Sequence, residues 1–161
     1  MEALLTWLEG SPLGYAIRHS SVWLYGSINL AHILGVATLF GSILVMDLRL
    51  MGVAPRIPIG PLSRVIMPTT VLGFLTAASA GICMLATNGT DYVGNPFLPI
   101  KFSAIGIGLL NAAVLNALPA WKRRSEEPLP AHAKRQFAIF GAVSLVSWLT
   151  AISCGRLIAY W

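Results

Sequence analysis

Between Ser21 and Asp47 the chain carries no Asp, Glu, Lys or Arg. As an α-helix, Val22 to Met46 rises about 37 Å, enough to cross a hydrocarbon core of about 30 Å with some tilt. The run ends at Asp47-Leu-Arg49. One titratable group, His32, sits in its middle. An imidazole at that depth has to be hydrogen-bonded, ligated or placed in a wet cavity, because an unsatisfied polar group in lipid costs several kcal/mol. Asn29 lies one helical turn away on the same face.

Three further stretches behave alike. The expected spans are 22–46, 65–86, 102–121 and 137–160. Pro68 is expected in the first turn of the second, where a missing N–H costs little, and Pro119 should end or kink the third. The loops between them are rich in Pro, Gly and basic residues: GVAPRIPIGPLSR, TNGTDYVGNPFLP and WKRRSEEPLPAHAKRQ. Residues 1–20 are too short and polar to span. Leu4, Leu5, Trp7 and Leu8 give them an apolar face beside Glu2 and Glu9, and Ser11-Pro12 and Gly14 break it. This predicts an interfacial helix followed by a turn.

Composition agrees with an integral membrane domain and excludes a soluble one. Of 161 residues 56% are apolar and 11% charged, with a mean hydropathy of +0.73. The spans use most of the chain, so a single domain, 1–161, is expected. Its net charge of +5 is a matter of placement and implies no nucleic-acid partner. Loops one and three hold Arg49, Arg56, Arg64, Lys122, Arg123, Arg124, Lys134 and Arg135; the other side holds Arg18, Lys101 and Arg156. Eight basic residues against three place those loops in the cytoplasm and both termini outside, in a bacterial inner membrane. Trp7, Trp23, Tyr25, Tyr92, Tyr160 and Trp161 then form an outer aromatic belt, and Trp121 marks the inner interface. The acidic N-terminus, MEALLTWLEG, lacks the basic region of a cleavable leader.

Small residues recur every fourth position at Gly73, Ala77 and Gly81, at Ala104, Gly108 and Ala112, and at Ser147, Ala151 and Gly155. Such stripes let helix backbones approach in lipid, and they also offer faces for a homo-oligomer.

No HExxH, P-loop, GxSxG or Rossmann fingerprint is present, and nothing marks the chain as an enzyme. The candidate chemistry is therefore that of polar groups inside the spans. Asn29, His32, Asn111 and Trp148 fall at similar depths and are expected to form one polar cluster. Two readings fit it. His32 ligates haem or a metal, or donates to a quinone; or it makes a hydrogen bond that fixes helix register. His19 and His132 lie near the two surfaces, so a second haem ligand from the same chain is not expected among the histidines. Asp47 and Arg49 read as an interfacial ion pair, since a carboxylate at a helix C-terminus wants a cation. Arg18, Lys101 and Arg156 form an outer basic set that suits either snorkelling or an anionic group such as a haem propionate. Cys83 and Cys154 give no disulfide framework, and two inert thiols are expected.

The segments AHILGVATLFGSILVMDLRLMG (31–52), NPFLPIKFSAIGIGLLNA (95–112) and SWLTAISCGRLIAY (147–160) resemble a bacterial four-span integral-membrane family of unknown function. The resemblance covers nearly the whole chain and implies fold and membrane location. That family often has a histidine shortly after the NA pair of the third span; here the place is taken by Asn116. More distantly, a histidine leading a Gly-rich first span is similar to copper-resistance D-type and b-type cytochrome membrane proteins. The expectation is an all-α, four-helix transmembrane bundle with an N-terminal interfacial helix. It would bind a cofactor near His32, haem b first, for electron transfer or redox sensing. A structural or assembly subunit, or an oligomeric permease, are the alternatives.

Overall fold

The computed structural model describes residues 1–125 and 129–161; residues 126–128, within the expected polar loop before the fourth span, lie outside the described residues. The described chain is all-α and contains no strand. Two short helices open it, α1 (Glu2–Glu9) and α2 (Pro12–Arg18). The four long helices are α3 (Val22–Leu50), α4 (Ile59–Asn88), α5 (Phe97–Ala117) and α7 (Ala131–Leu157), with a single-turn α6 (Pro119–Lys122) between the last two. Short 3-10 turns follow α4 at Gly89–Tyr92 and α7 at Ile158–Tyr160. All four long helices have the length and composition to cross a membrane.

The helices overrun the charge-free runs. α3 continues through Asp47 and Arg49 to Leu50, with Gly52 just beyond in the left-handed region at φ 99°. The uncharged run marks the depth of lipid, whereas caps and turns decide where a helix stops. α4 begins at Ile59, so Pro68 stands in its interior rather than in its first turn. α5 ends as the sequence requires: Leu118 is extended at ψ 134°, and Pro119 opens α6 at its first position.

The chain divides into two compact units, one of Met1–Leu39 with Thr70–Asn95, the other of Phe40–Thr69 with Pro96–Trp161. In the first, α3 and α4 meet backbone to backbone. A Cβ on Gly35 would lie 2.5 Å from the Ala77 amide nitrogen, and one on Gly73 2.5 Å from that of Leu39. α1 and α2 dock on the end of α4. Arg18 donates to the carbonyls of Ala86 at 3.1 Å, Thr87 at 3.2 Å and Glu9 at 2.8 Å, a cation on the negative end of a helix. Gly14 is not a helix breaker but lies inside α2, where a Cβ would overlap the Ala86 carbonyl oxygen.

The second unit holds a core of Met46, Leu50, Ile59, Leu115, Trp121 and Phe137. Trp121, expected as an interface marker, is 3% exposed. Its ring meets Phe137 edge-on at 5.7 Å, its Nε1 donates to Asn116 Oδ1 at 2.9 Å, and the Arg124 guanidinium lies 4.6 Å over it. Elsewhere in this unit α5 and α7 pack through Gly108, which faces the Trp148 ring.

Candidate functional site

His32 projects from α3 onto α4 in the first unit. Its Nδ1 lies 2.8 Å from the Ala77 carbonyl oxygen. A carbonyl only accepts, so Nδ1 carries a proton and donates it to Ala77. Space for the imidazole comes from Gly81, where a Cβ would lie 3.2 Å from His32 Cε1. The Gly73-Ala77-Gly81 stripe is thus the seat of the histidine as well as a packing face. Asn29 lies one turn earlier on α3, half-buried. A histidine that donates one nitrogen to a backbone carbonyl is oriented as metal-ligating histidines are.

The remaining residues expected in the cluster belong to the second unit, at the meeting of α5 and α7. Asn111 Nδ2 donates to the Phe140 carbonyl at 3.0 Å. Trp148 is buried against Gly108. Lys101 runs beside Gly155, where a Cβ would lie 3.3 Å from its Nζ. Arg156 turns outward, its guanidinium 4.7 Å over the Tyr160 ring and hydrogen-bonded to the Tyr160 hydroxyl. Asn29 and His32 therefore stand in one unit and Asn111, Trp148, Lys101 and Arg156 in the other.

Asp47 and Arg49 do not form the expected pair. Arg49 turns along the following loop and donates from Nε to the Ile57 carbonyl and from Nη2 to that of Pro55, the latter at 3.2 Å. It caps a loop because α3 continues past Asp47 and carries Arg49 to its end. Asp47 is 4% exposed and shares a hydrogen bond with the Ser144 side chain on α7. Its Oδ2 is buried without a hydrogen-bond partner.

Three polar contacts escape sequence reasoning. They are the Arg18 latch, the Asp47–Ser144 pair, and Arg124, whose Nε donates to the fully buried Ser63 Oγ at 2.8 Å. Each joins residues distant in sequence and follows no motif. Cys83 and Cys154 are free thiols. Among the described residues no group of three or more His, Cys, Asp or Glu is placed to hold a metal ion.

Four spanning helices and a spare set of intramembrane polar groups define a multi-pass membrane protein. Compared with known proteins, the chain matches no protein-family model, no curated protein and no solved structure.

Proposed function

We propose that this membrane protein binds a redox cofactor on His32, haem b first, for electron transfer or redox sensing. The observation behind this reading is the Nδ1 bond to Ala77, which orients the ring as the rings of metal-ligating histidines are oriented. Haem supplies one-electron chemistry. The chain would hold it through His32, whose ring the Ala77 carbonyl orients. His32 of a second copy would be the further residue to hold it, in keeping with a homo-oligomer. The resemblance to b-type cytochrome membrane proteins points the same way. Loop charges support a bacterial inner membrane with both termini periplasmic. A C-terminal alkaline phosphatase fusion should then be active and a C-terminal fluorescent fusion dark.

The visible spectrum of protein purified after expression with ample haem tests the cofactor. A Soret band is expected in the wild type and its loss in His32→Asn. Normal haem content in folded His32→Asn overturns the reading.

A structural or assembly subunit is the second reading. It is favoured by the same bond, which also locks the α3–α4 seam. A haem-free wild type with full stability, loosened by His32→Leu, is its expected signature.

A further inference from the structure

The second unit contains a groove that none of the cofactor residues enters. It is a cavity of about 410 Å³ between the end of α3, the loop after it, the start of α4 and the start of α7. Its floor is apolar: Leu50, Ile59 and Phe137, all members of the buried core. Its rim is cationic, with Arg49, Lys134 and Arg135. Arg49 is held in place by the Ile57 and Pro55 carbonyls, so its charge is fixed at the rim. Lys134 and Arg135 lie in the opening turns of α7 and are exposed.

The start of α7 adds to this field. Its N-cap is Pro130, no side chain caps it, and its first turn carries no acid. The positive end of a 27-residue helix therefore points the same way as the three cations. An apolar floor with a positive rim at the end of membrane spans suits an amphiphile with an anionic head. A free phosphate would use the rim and leave the floor empty.

We propose that this groove binds an anionic phospholipid, its phosphate held by Lys134, Arg135 and Arg49 and its upper acyl carbons lying on Leu50, Ile59 and Phe137. The site is independent of the cofactor reading at His32. The rim selects charge, and the floor selects a lipid over a soluble anion. Cardiolipin or phosphatidylglycerol meets both demands, and phosphatidylcholine, with no net charge, meets only one.

The test is thermal unfolding of the delipidated full chain in neutral detergent, titrated separately with phosphatidylglycerol, phosphatidylcholine and inorganic phosphate. Phosphatidylglycerol should raise Tm saturably, and the other two should leave it nearly unchanged. Lys134→Ala/Arg135→Ala replaces only exposed side chains, so it should fold. It should lose most of the phosphatidylglycerol shift, while Arg123→Ala, a loop cation outside the groove, should keep it. A full shift in the double variant overturns the site. An equal shift with phosphatidylcholine overturns its charge selectivity, and an equal shift with phosphate alone overturns the lipid as occupant.

Discussion

Gly35 and Ala77 touch so closely that a Cβ on the glycine would stand 2.5 Å from the Ala77 nitrogen and 2.9 Å from its Cα. Both near atoms are backbone, so no side-chain motion relieves the overlap. Gly35→Val must push α3 away from α4, and with it His32 from the Ala77 carbonyl. A loss of about 2–4 kcal/mol is expected, more than one interhelical hydrogen bond of about 0.6 kcal/mol, because the whole seam opens. Gly106 meets nothing within 4 Å, so Gly106→Ala should be neutral or gain up to about 1 kcal/mol from helix propensity. Unfolding in detergent distinguishes the two, and equal behaviour would refute the seam.

Glu9 makes the attachment of α1 pH-dependent. Its Oε2 accepts from the Thr90 backbone N–H at 2.7 Å and from Thr90 Oγ1 at 2.8 Å. The backbone bond first, and then the hydroxyl, hold its carboxyl below the ordinary value of 4.5. A lowered native value means the stabilisation is present above that ordinary value and is lost as pH falls through the native one. The protection factor of the Thr90 amide against hydrogen exchange should fall across that acidic window and stay level above it. Glu9→Gln should remove the pH dependence, and an unchanged profile in that variant would count against the contact.

The spans, the break at Pro119 and the seam stripe at Gly73, Ala77 and Gly81 are legible in the sequence because charge-free length, proline chemistry and small-residue spacing are local signals. What stands across from a residue is not. Leu30 and Ile33 face outward at 57% and 58% exposure, yet they are as apolar as buried Leu39 and Ile43. When the solvent is lipid, inside and outside no longer differ in polarity, and periodicity stops reporting which face is buried. Hence Trp121 reads as an interface anchor although Phe137 and Arg124 enclose it, and Gly14 reads as a break although it is a point of close contact. His32 is visible as an oddity. Its acceptor, a backbone carbonyl 45 residues away, has no signature at all.

Arg124 ties the end of α6 to α4. It donates to Ser63 Oγ at 2.8 Å and to the Trp121 carbonyl at 2.9 Å while its guanidinium covers the Trp121 ring. Hydrogen bonds from a charged group contribute about 1.5–3 kcal/mol, and the ring contact adds about 0.5–1 kcal/mol. Arg124→Ala should therefore cost about 2–4 kcal/mol. Arg124→Lys should recover little of it, since an ammonium cannot reproduce the planar fork. Arg123, exposed beside it, is the control, and its alanine variant should unfold as the wild type does.

Asp47 and Ser144 give the sharpest contrast. The carboxyl is buried, the Ser144 side chain is its hydrogen-bond partner, and Oδ2 has none. A group this poorly satisfied adds little to stability, and replacing a buried charged group by a neutral one of similar shape is often neutral or stabilising. Asp47→Asn keeps the shape and a hydrogen-bonding group facing Ser144. It should change stability by less than about 1 kcal/mol. Ser144→Val acts the other way: it deletes the partner and leaves the carboxyl wholly unsatisfied, at a cost of about 1–3 kcal/mol. In the double variant Asp47→Asn/Ser144→Val the penalty should shrink, because an orphaned amide is cheaper to bury than an orphaned acid. A double-mutant cycle of unfolding free energies measures the difference. A large loss in Asp47→Asn alone would show that the acid holds the fold together. Stability kept while cofactor content or cell phenotype is lost would place Asp47 in the working site.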